Sequence, residues 1–332
     1  MSELRRDPVT GRWVVITPER ARRPQDFRPQ PVGAIGGDMC PFCEGQEGVA
    51  GRELLAWRPS GSAPNGPGWQ VRVVPNRDPA LRVESTLGEA SDPLFQSLGG
   101  LGAHEVVIES PDHRARLATM TAEEVGRVLW AWRERIRDLR RDMRLTSFVV
   151  AKNVGAAAGA LLDHAHSQLL ALPLVPQHLQ EELAGAQAYH TQTARCVFCD
   201  LIVEEVTRDR RVVSVDDGSI AFAPFASRVP FETWVVPREH QAGFEDASDL
   251  TLEAVGERLQ DVVRRLDVTL VSPPHTVLLH TAPVGEERAA YHWHLEIIPR
   301  LTPVSGLAWD GGISVNAVPP EEAAEVLRNV TL

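Results

Sequence analysis

No apolar run in this sequence approaches the roughly 20 residues that a bilayer-spanning helix requires. The most apolar stretch, Leu169 to Val175, is broken by Pro173 and ends at Pro176. The opening Met-Ser-Glu-Leu-Arg-Arg-Asp lacks the apolar centre of a signal peptide. These absences make a cytoplasmic location the expectation, with no membrane partner. An excess of cations is missing too: 34 Lys and Arg stand against 45 Asp and Glu, a formal net charge of −11. A nucleic-acid polymer is therefore not an expected partner, because such binding draws on clustered cations that displace phosphate counterions. One phosphorylated small molecule held by a local arginine cluster stays open. Cysteine is scarce, with four in 332 residues, all in two pairs, Cys40-Pro-Phe-Cys43 and Cys196-Val-Phe-Cys199. In a reducing compartment that spacing points to metal or redox chemistry rather than structural disulfides.

What is present is the composition of a soluble globular chain, 43% hydrophobic and 24% charged, with 25 Gly and 25 Pro to make turns. Its length favours two domains or one large one. A repeat organises it. Thr121-Ala-Glu-Glu-Val-Gly126 is echoed by Thr251-Leu-Glu-Ala-Val-Gly256 at an offset of 130 residues. The first opens a helix with a capping box, Thr121 with Glu124. An apolar stripe follows at Val125, Val128, Leu129, Trp132, Ile136 and Leu139. The second carries Leu252, Val255, Leu259, Val262, Val263 and Leu266 on a similar stripe. Upstream, a strand pattern ends in His113 and again in His240; downstream, His164-Ala-His166 is matched by His292-Trp-His294. Both halves thus read C-x-x-C, strand ending in His, helix, strand, H-x-H. The expected fold is α+β with two tandem related domains, 1–175 and 176–332, each an antiparallel sheet with one long helix. Pro176 to Arg195 reads as a helical connector.

Each half supplies two thiolates and at least two imidazoles, a set suited to tetrahedral zinc. The expected ligands are Cys40, Cys43, His113 and His164 in the first half, and Cys196, Cys199, His240 and His292 in the second. His280 and His294 are further candidates for the second site. Cys-Pro-Phe-Cys alone resembles a glutaredoxin-type redox motif. A redox role would need neither a second C-x-x-C nor histidines repeated at matched distances. His104, His178, His190 and His275 follow no such pattern and read as surface or core residues.

Lys152 to Gln168 is a small-residue loop leading into a strand. His164, His166 and Gln168 lie two apart, so on extended chain they share one face. Small residues before them let backbone amides approach an anion, beside which an imidazole can act as a nucleophile. The residues alone leave open whether His166 is that nucleophile or a core histidine.

Arg6 to Pro24, Cys40-Pro-Phe-Cys43, Pro75-Asn-Arg77, Ser110-Pro-Asp-His113, Asn153 to Gln168, Pro230 to His240 and Pro319 to Ala324 together resemble the galactose-1-phosphate uridylyltransferase family. That family lies within the histidine-triad superfamily and has ADP-glucose phosphorylase-like relatives. The resemblance implies two histidine-triad-like domains, two zinc ions, a homodimer and a ping-pong reaction. His166 would attack the α-phosphorus of a nucleoside-diphosphate sugar and pass the nucleotidyl group to an acceptor phosphate. Gln168 would donate to phosphoryl oxygens, Asn153 would contact the phosphates, and His164 would hold zinc. Arg20, Arg23, Asn76, Gly159 and Ser167 would complete the substrate site. The leading expectation is transfer of UMP from UDP-glucose to galactose 1-phosphate. The alternatives are an ADP- or other NDP-sugar phosphorylase using inorganic phosphate, and an idle zinc-stabilised nucleotide-binding protein. Four departures bear on this choice. Ala165 replaces a proline, Leu161 replaces a loop hydroxyl, and Asp78 replaces an aromatic residue. Around Gly306 to Asn316 the galactose-reading Glu and Gln have no counterpart, and that stretch is closer to the ADP-glucose phosphorylase-like relatives.

Overall fold

The computed structural model describes residues 2–18, 40–59, 61–88, 94–285, 288–301 and 311–332. Arg20 and Arg23 therefore lie outside the described residues. Strands β1 (Glu3–Arg6) and β2 (Trp13–Ile16) form a hairpin, which β13 (Ser314–Asn316) joins in parallel beside β2. The first half then contributes β3 (Leu55–Trp57), β4 (Val71–Pro75), β5 (Ala103–Ile108), β6 (Ser147–Val154) and β7 (His166–Leu172). The second contributes β8 (Val212–Val215), β9 (Ser219–Phe222), β10 (Thr233–Pro237), β11 (His275–His280) and β12 (His294–Pro299). The spatial order β3-β4-β5-β7-β6 is repeated as β8-β9-β10-β12-β11. The duplication read from the sequence is thus a duplication of topology.

The two halves do not keep separate sheets. β6 pairs β11 antiparallel, with Ala151 opposite Leu278, and the strands form one ten-stranded sheet. The physical reason is the edge: β6 and β11 would otherwise each present a row of unpaired backbone groups.

Two long helices cover one face, α2 (Ala122–Leu139) after β5 and α5 (Asp249–Leu270) after β10. Thr121 caps α2 through its hydroxyl, which accepts from Glu124 N at 3.2 Å, while Glu124 Oε2 accepts from Thr121 N at 2.7 Å. Ser248 caps α5 by accepting from Thr251 N at 3.1 Å. Both apolar stripes are buried and share one core with Val107, Leu169, Val277 and Leu295 of the sheet. Each large side chain buried there contributes about 1.5–3 kcal/mol. The helices cross at Gly126 and Gly256, equivalent positions of the repeat. A Cβ on Gly256 would lie 3.2 Å from Gly126 N, a tight approach of the α5 side chain position to the α2 backbone, whereas a Cβ on Gly126 would meet nothing within 4 Å.

The other face is covered differently in each half. The Cys40–Cys43 turn, α1 (Glu47–Ala50) and Trp69 lie over the first. Over the second lie α3 (Gln177–Thr193), the expected connector, and α4 (Val197–Arg208). Residues 3–17, expected with the first half, sit against the second. Arg5 pairs with Glu321 of α6 (Pro320–Arg328) at 2.9 Å, and Val9 packs against Gly185 so closely that a Cβ there would lie 1.7 Å from the Val9 carbonyl oxygen.

Candidate metal centres and nucleophile

The Cys40–Cys43 turn brings both sulfurs to one side, with Cys43 N donating to Cys40 O at 3.3 Å. His113 arrives from the loop after β5, and His164 from the residues just before β7. Cys40 Sγ lies 3.6 Å from His164 Nδ1, and Cys43 Sγ lies 3.5 Å from His113 Nδ1 and 3.7 Å from His164 Nδ1. Zn–S and Zn–N bonds of about 2.3 and 2.0 Å at a tetrahedral angle place sulfur and nitrogen roughly 3.5 Å apart. These atoms already have the edge lengths of such a tetrahedron. His164 Nε2–H donates to Ser110 O at 2.7 Å, which leaves Nδ1 with its lone pair on the ligand side.

The second centre repeats the first. Cys196 opens α4, and Cys199 Sγ lies 3.3 Å from His240 Nδ1 and 3.6 Å from His292 Nδ1. His240 Nε2 donates to Arg288 O at 3.1 Å. In each quartet all four donor atoms lie within 4.8 Å of one another. Both ligand sets are therefore brought together as the sequence suggested. His280 and His294 do not join the second quartet. They form a separate buried group with Glu182. Glu182 Oε2 accepts from His280 Nδ1 at 3.0 Å and from Tyr291 Oη at 2.9 Å. Burial alone would lower His280, but Glu182 and Glu296 outweigh it and push its pKa up to about 10.

His166 is the first residue of β7, buried, with its ring 5.4 Å from that of Phe42. Its Nδ1–H donates to His164 O at 2.8 Å, so the lone pair of the neutral ring is on Nε2. Burial lowers its pKa against the pull of that carbonyl, and the charge of Lys152 lowers it further. Gln168, two residues on and half-buried, shares this face. The equivalent His294 is built otherwise. It is fully buried, 4.7 Å from the Trp234 ring and stacked at 4.6 Å on His280. At the position equivalent to Gln168 stands Glu296, ion-paired with Arg228. A phosphate would meet a filled space and a carboxylate there.

Around His166 the chain supplies the expected small-residue loop. Asn153, near the end of β6, lies beside Gly159, whose absent Cβ would sit 3.9 Å from Asn153 Nδ2. Gly159 has φ +88°, left-handed backbone that closes the 3-10 turn Ala156–Ala158. Asn76, just past β4, places Nδ2 3.1 Å from His104 Nε2. Ser167, expected at the substrate, is a correction. Its side chain turns to the opposite face, where its Oγ accepts from Trp132 Nε1 of α2 at 2.8 Å. The two-residue strand period that presents His166 and Gln168 sends Ser167 into the core.

Two features escaped the sequence reading. His104 of β5, taken for a surface or core residue, lies 2.8 Å from Gln168 Oε1. Behind His166, Lys152 Nζ pairs with Glu109 at 2.5 Å, both side chains almost fully buried, and lies 3.5 Å from the His166 carbonyl. Only strand register could have revealed either pair. We expect Lys152→Met to lower stability by about 3–5 kcal/mol, because it strands a buried carboxylate. The K152M/E109M double variant should be more stable than K152M. Urea denaturation midpoints measure both, and a double variant no better than the single one would contradict the pairing.

Two Cys₂His₂ quartets, a buried strand histidine beside a small-residue loop and a duplicated five-strand topology are the features to set beside known proteins. A family model described as galactose-1-phosphate uridyl transferase, N-terminal domain, matches residues 1–176. An ADP-glucose phosphorylase of Arabidopsis thaliana is 35% identical over 341 residues, covering 99% of this chain and 93% of the relative. A galactose-1-phosphate uridylyltransferase of Thermotoga maritima is 25% identical over 338 residues, covering 99% and 98%. Among solved structures, an Arabidopsis thaliana ADP-glucose phosphorylase with bound ADP-glucose superposes with a TM-score of 0.85 at 32% identity, over 100% of this chain and 99% of that one. The chain belongs to the galactose-1-phosphate uridyl transferase family and is an enzyme of its nucleotidyl-transfer chemistry.

Proposed function

We propose that the protein is an ADP-sugar phosphorylase acting through an adenylyl-His166 intermediate, with ADP-glucose as donor. The likeness to the ADP-glucose-bound structure over the full chain, at 32% identity, is the observation that carries this reading. The order of preference suggested by the sequence, UMP transfer to galactose 1-phosphate first, is reversed. The Thermotoga uridylyltransferase is the more distant relative, at 25% against 35% identity.

In the reaction His166 Nε2 attacks the α-phosphorus, a P–N bond forms, and the P–O bond to glucose 1-phosphate breaks. Inorganic phosphate then attacks the same phosphorus, giving ADP and returning the neutral imidazole. The Gln168 amide donates to the phosphoryl oxygens without bringing a titrating proton. Asn153 contacts the phosphates, and Gly159 lets the loop backbone come close. Asn76 lies toward the base, and Arg20 and Arg23 serve the nucleotide. Zinc fits both quartets and would be structural there. Cys40, Cys43, His113 and His164 would hold one ion and so fix the Cys40–Cys43 turn beside the entry to β7, two residues before the nucleophile. Cys196, Cys199, His240 and His292 would hold the other and fix α4 beside the entry to β12. The working unit is a homodimer.

Purified, zinc-loaded protein given ADP-glucose and inorganic phosphate should release ADP and glucose 1-phosphate in equal amounts. Faster formation of UDP-galactose from UDP-glucose and galactose 1-phosphate would sink the adenylyl reading. No turnover with any donor would leave the idle nucleotide-binding protein standing.

A further inference from the structure

We propose that His104 is a positioning residue that fixes which end of the Gln168 amide faces the phosphate. The proposal rests on the reading of Gln168 as a phosphoryl contact, and it follows from donor and acceptor bookkeeping around one imidazole.

Ala80 N donates to His104 Nδ1 at 3.1 Å. A backbone N–H can only donate, so Nδ1 holds a lone pair and the proton of the neutral ring is on Nε2. That proton points to Gln168 Oε1 at 2.8 Å. With its carbonyl end engaged, Gln168 has only its NH₂ end to offer to a ligand. A flipped amide would set N–H against N–H. Asn76 Nδ2 also lies 3.1 Å from this Nε2, a contact between two donors and not a hydrogen bond, because Asn76 Oδ1 is held by Asp78 N at 2.9 Å. Asn76 therefore cannot turn a carbonyl toward the ring and compete for the proton. Three consecutive sheet neighbours place these groups. Asn76 follows β4, His104 is on β5, and Gln168 is on β7, with Val106 opposite Gln168. A flipped Gln168 would present its carbonyl oxygen to a phosphate that carries more negative charge as the P–O bond breaks. His104 thus acts on turnover through Gln168, without touching the reacting atoms.

The test uses two isosteric changes in the zinc-loaded full chain with ADP-glucose. His104→Asn keeps an acceptor near Nδ1 for the Ala80 amide but has nothing at the Nε2 position. His104→Gln keeps an N–H donor near that position. For His104→Asn, kcat should fall roughly 10–100-fold, the range seen on loss of a residue that orients a catalytic group, while KM for ADP-glucose stays within about threefold. His104→Gln should recover most of the rate. Gln168→Ala alone should lose about 10²–10³-fold, as for a lost oxyanion donor. The H104N/Q168A double variant should be no slower than Q168A, because the proposal routes the effect of His104 on kcat through Gln168, while its Asn76 neighbour would act on KM. Equal losses in H104N and H104Q, or losses that multiply in the double variant, would overturn the proposal. Wild-type protein that forms no adenylyl adduct would instead overturn the parent reading of the site.

Discussion

Replacing His166 by alanine should abolish the adenylyl-enzyme and lower phosphorolysis of ADP-glucose by at least about 10³-fold, since no other group can take over as nucleophile. The structure gives reasons to expect so complete a loss. The only histidine in an equivalent place, His294, is walled in by Trp234 and His280 and followed by Glu296 instead of Gln168. His164 cannot substitute, because its Nδ1 faces Cys40 and Cys43 and its Nε2 is bonded to Ser110 O. The variant should keep both metals and fold. Steady-state release of glucose 1-phosphate measures the effect, and residual activity above a tenth of wild type would assign the chemistry elsewhere.

Replacing Cys40 by alanine should reduce bound zinc from two ions to one per chain and cause the largest loss of stability of any single change in the first half. Zinc bound by a closed quartet contributes its binding free energy directly to folding, and such energies reach about 10–16 kcal/mol in isolated fingers. Here the quartet also secures the chain just before the nucleophile, through His164. Its ligands come from a turn that otherwise contributes little core, from the loop after β5, and from the entry to β7. Adenylylation should therefore disappear with the metal. Cys196→Ala should also lose one zinc, yet the molecules that remain folded should still form the adduct, because the second quartet serves α4 and β12, far along the sheet from β7. Elemental analysis per chain, with thermal melting with and without chelator, distinguishes the two variants. Metal-free protein whose cysteine pairs cycle as disulfides would instead revive the redox reading.

Much of this was legible in the sequence because duplication leaves paired traces. The capping box at Thr121, the two helical stripes and the matched C-x-x-C and H-x-H pairs each named a local structure, and each is local in origin. What stayed hidden was non-local. Nothing in the sequence said that β6 and β11 would join two half-sheets into one, because edge pairing depends on which edges remain free in space. Ser167 was misassigned since a motif lists residues in order, whereas a strand sends alternate ones to opposite faces. His104 carries no motif at all. It matters only because the β5–β7 register sets its imidazole beside Gln168. The Lys152–Glu109 pair is hidden for the same reason, since 43 residues separate its partners.

The central claim is a covalent nucleotide on one histidine, and the intact mass of the zinc-loaded chain after brief exposure to ADP-glucose without phosphate tests it most directly. The account predicts a gain of one AMP per chain, mapped by peptide analysis to His166 and discharged as ADP when inorganic phosphate is added. An unmodified mass with every nucleotide-sugar tried, or an adduct mapped to another residue, would contradict it.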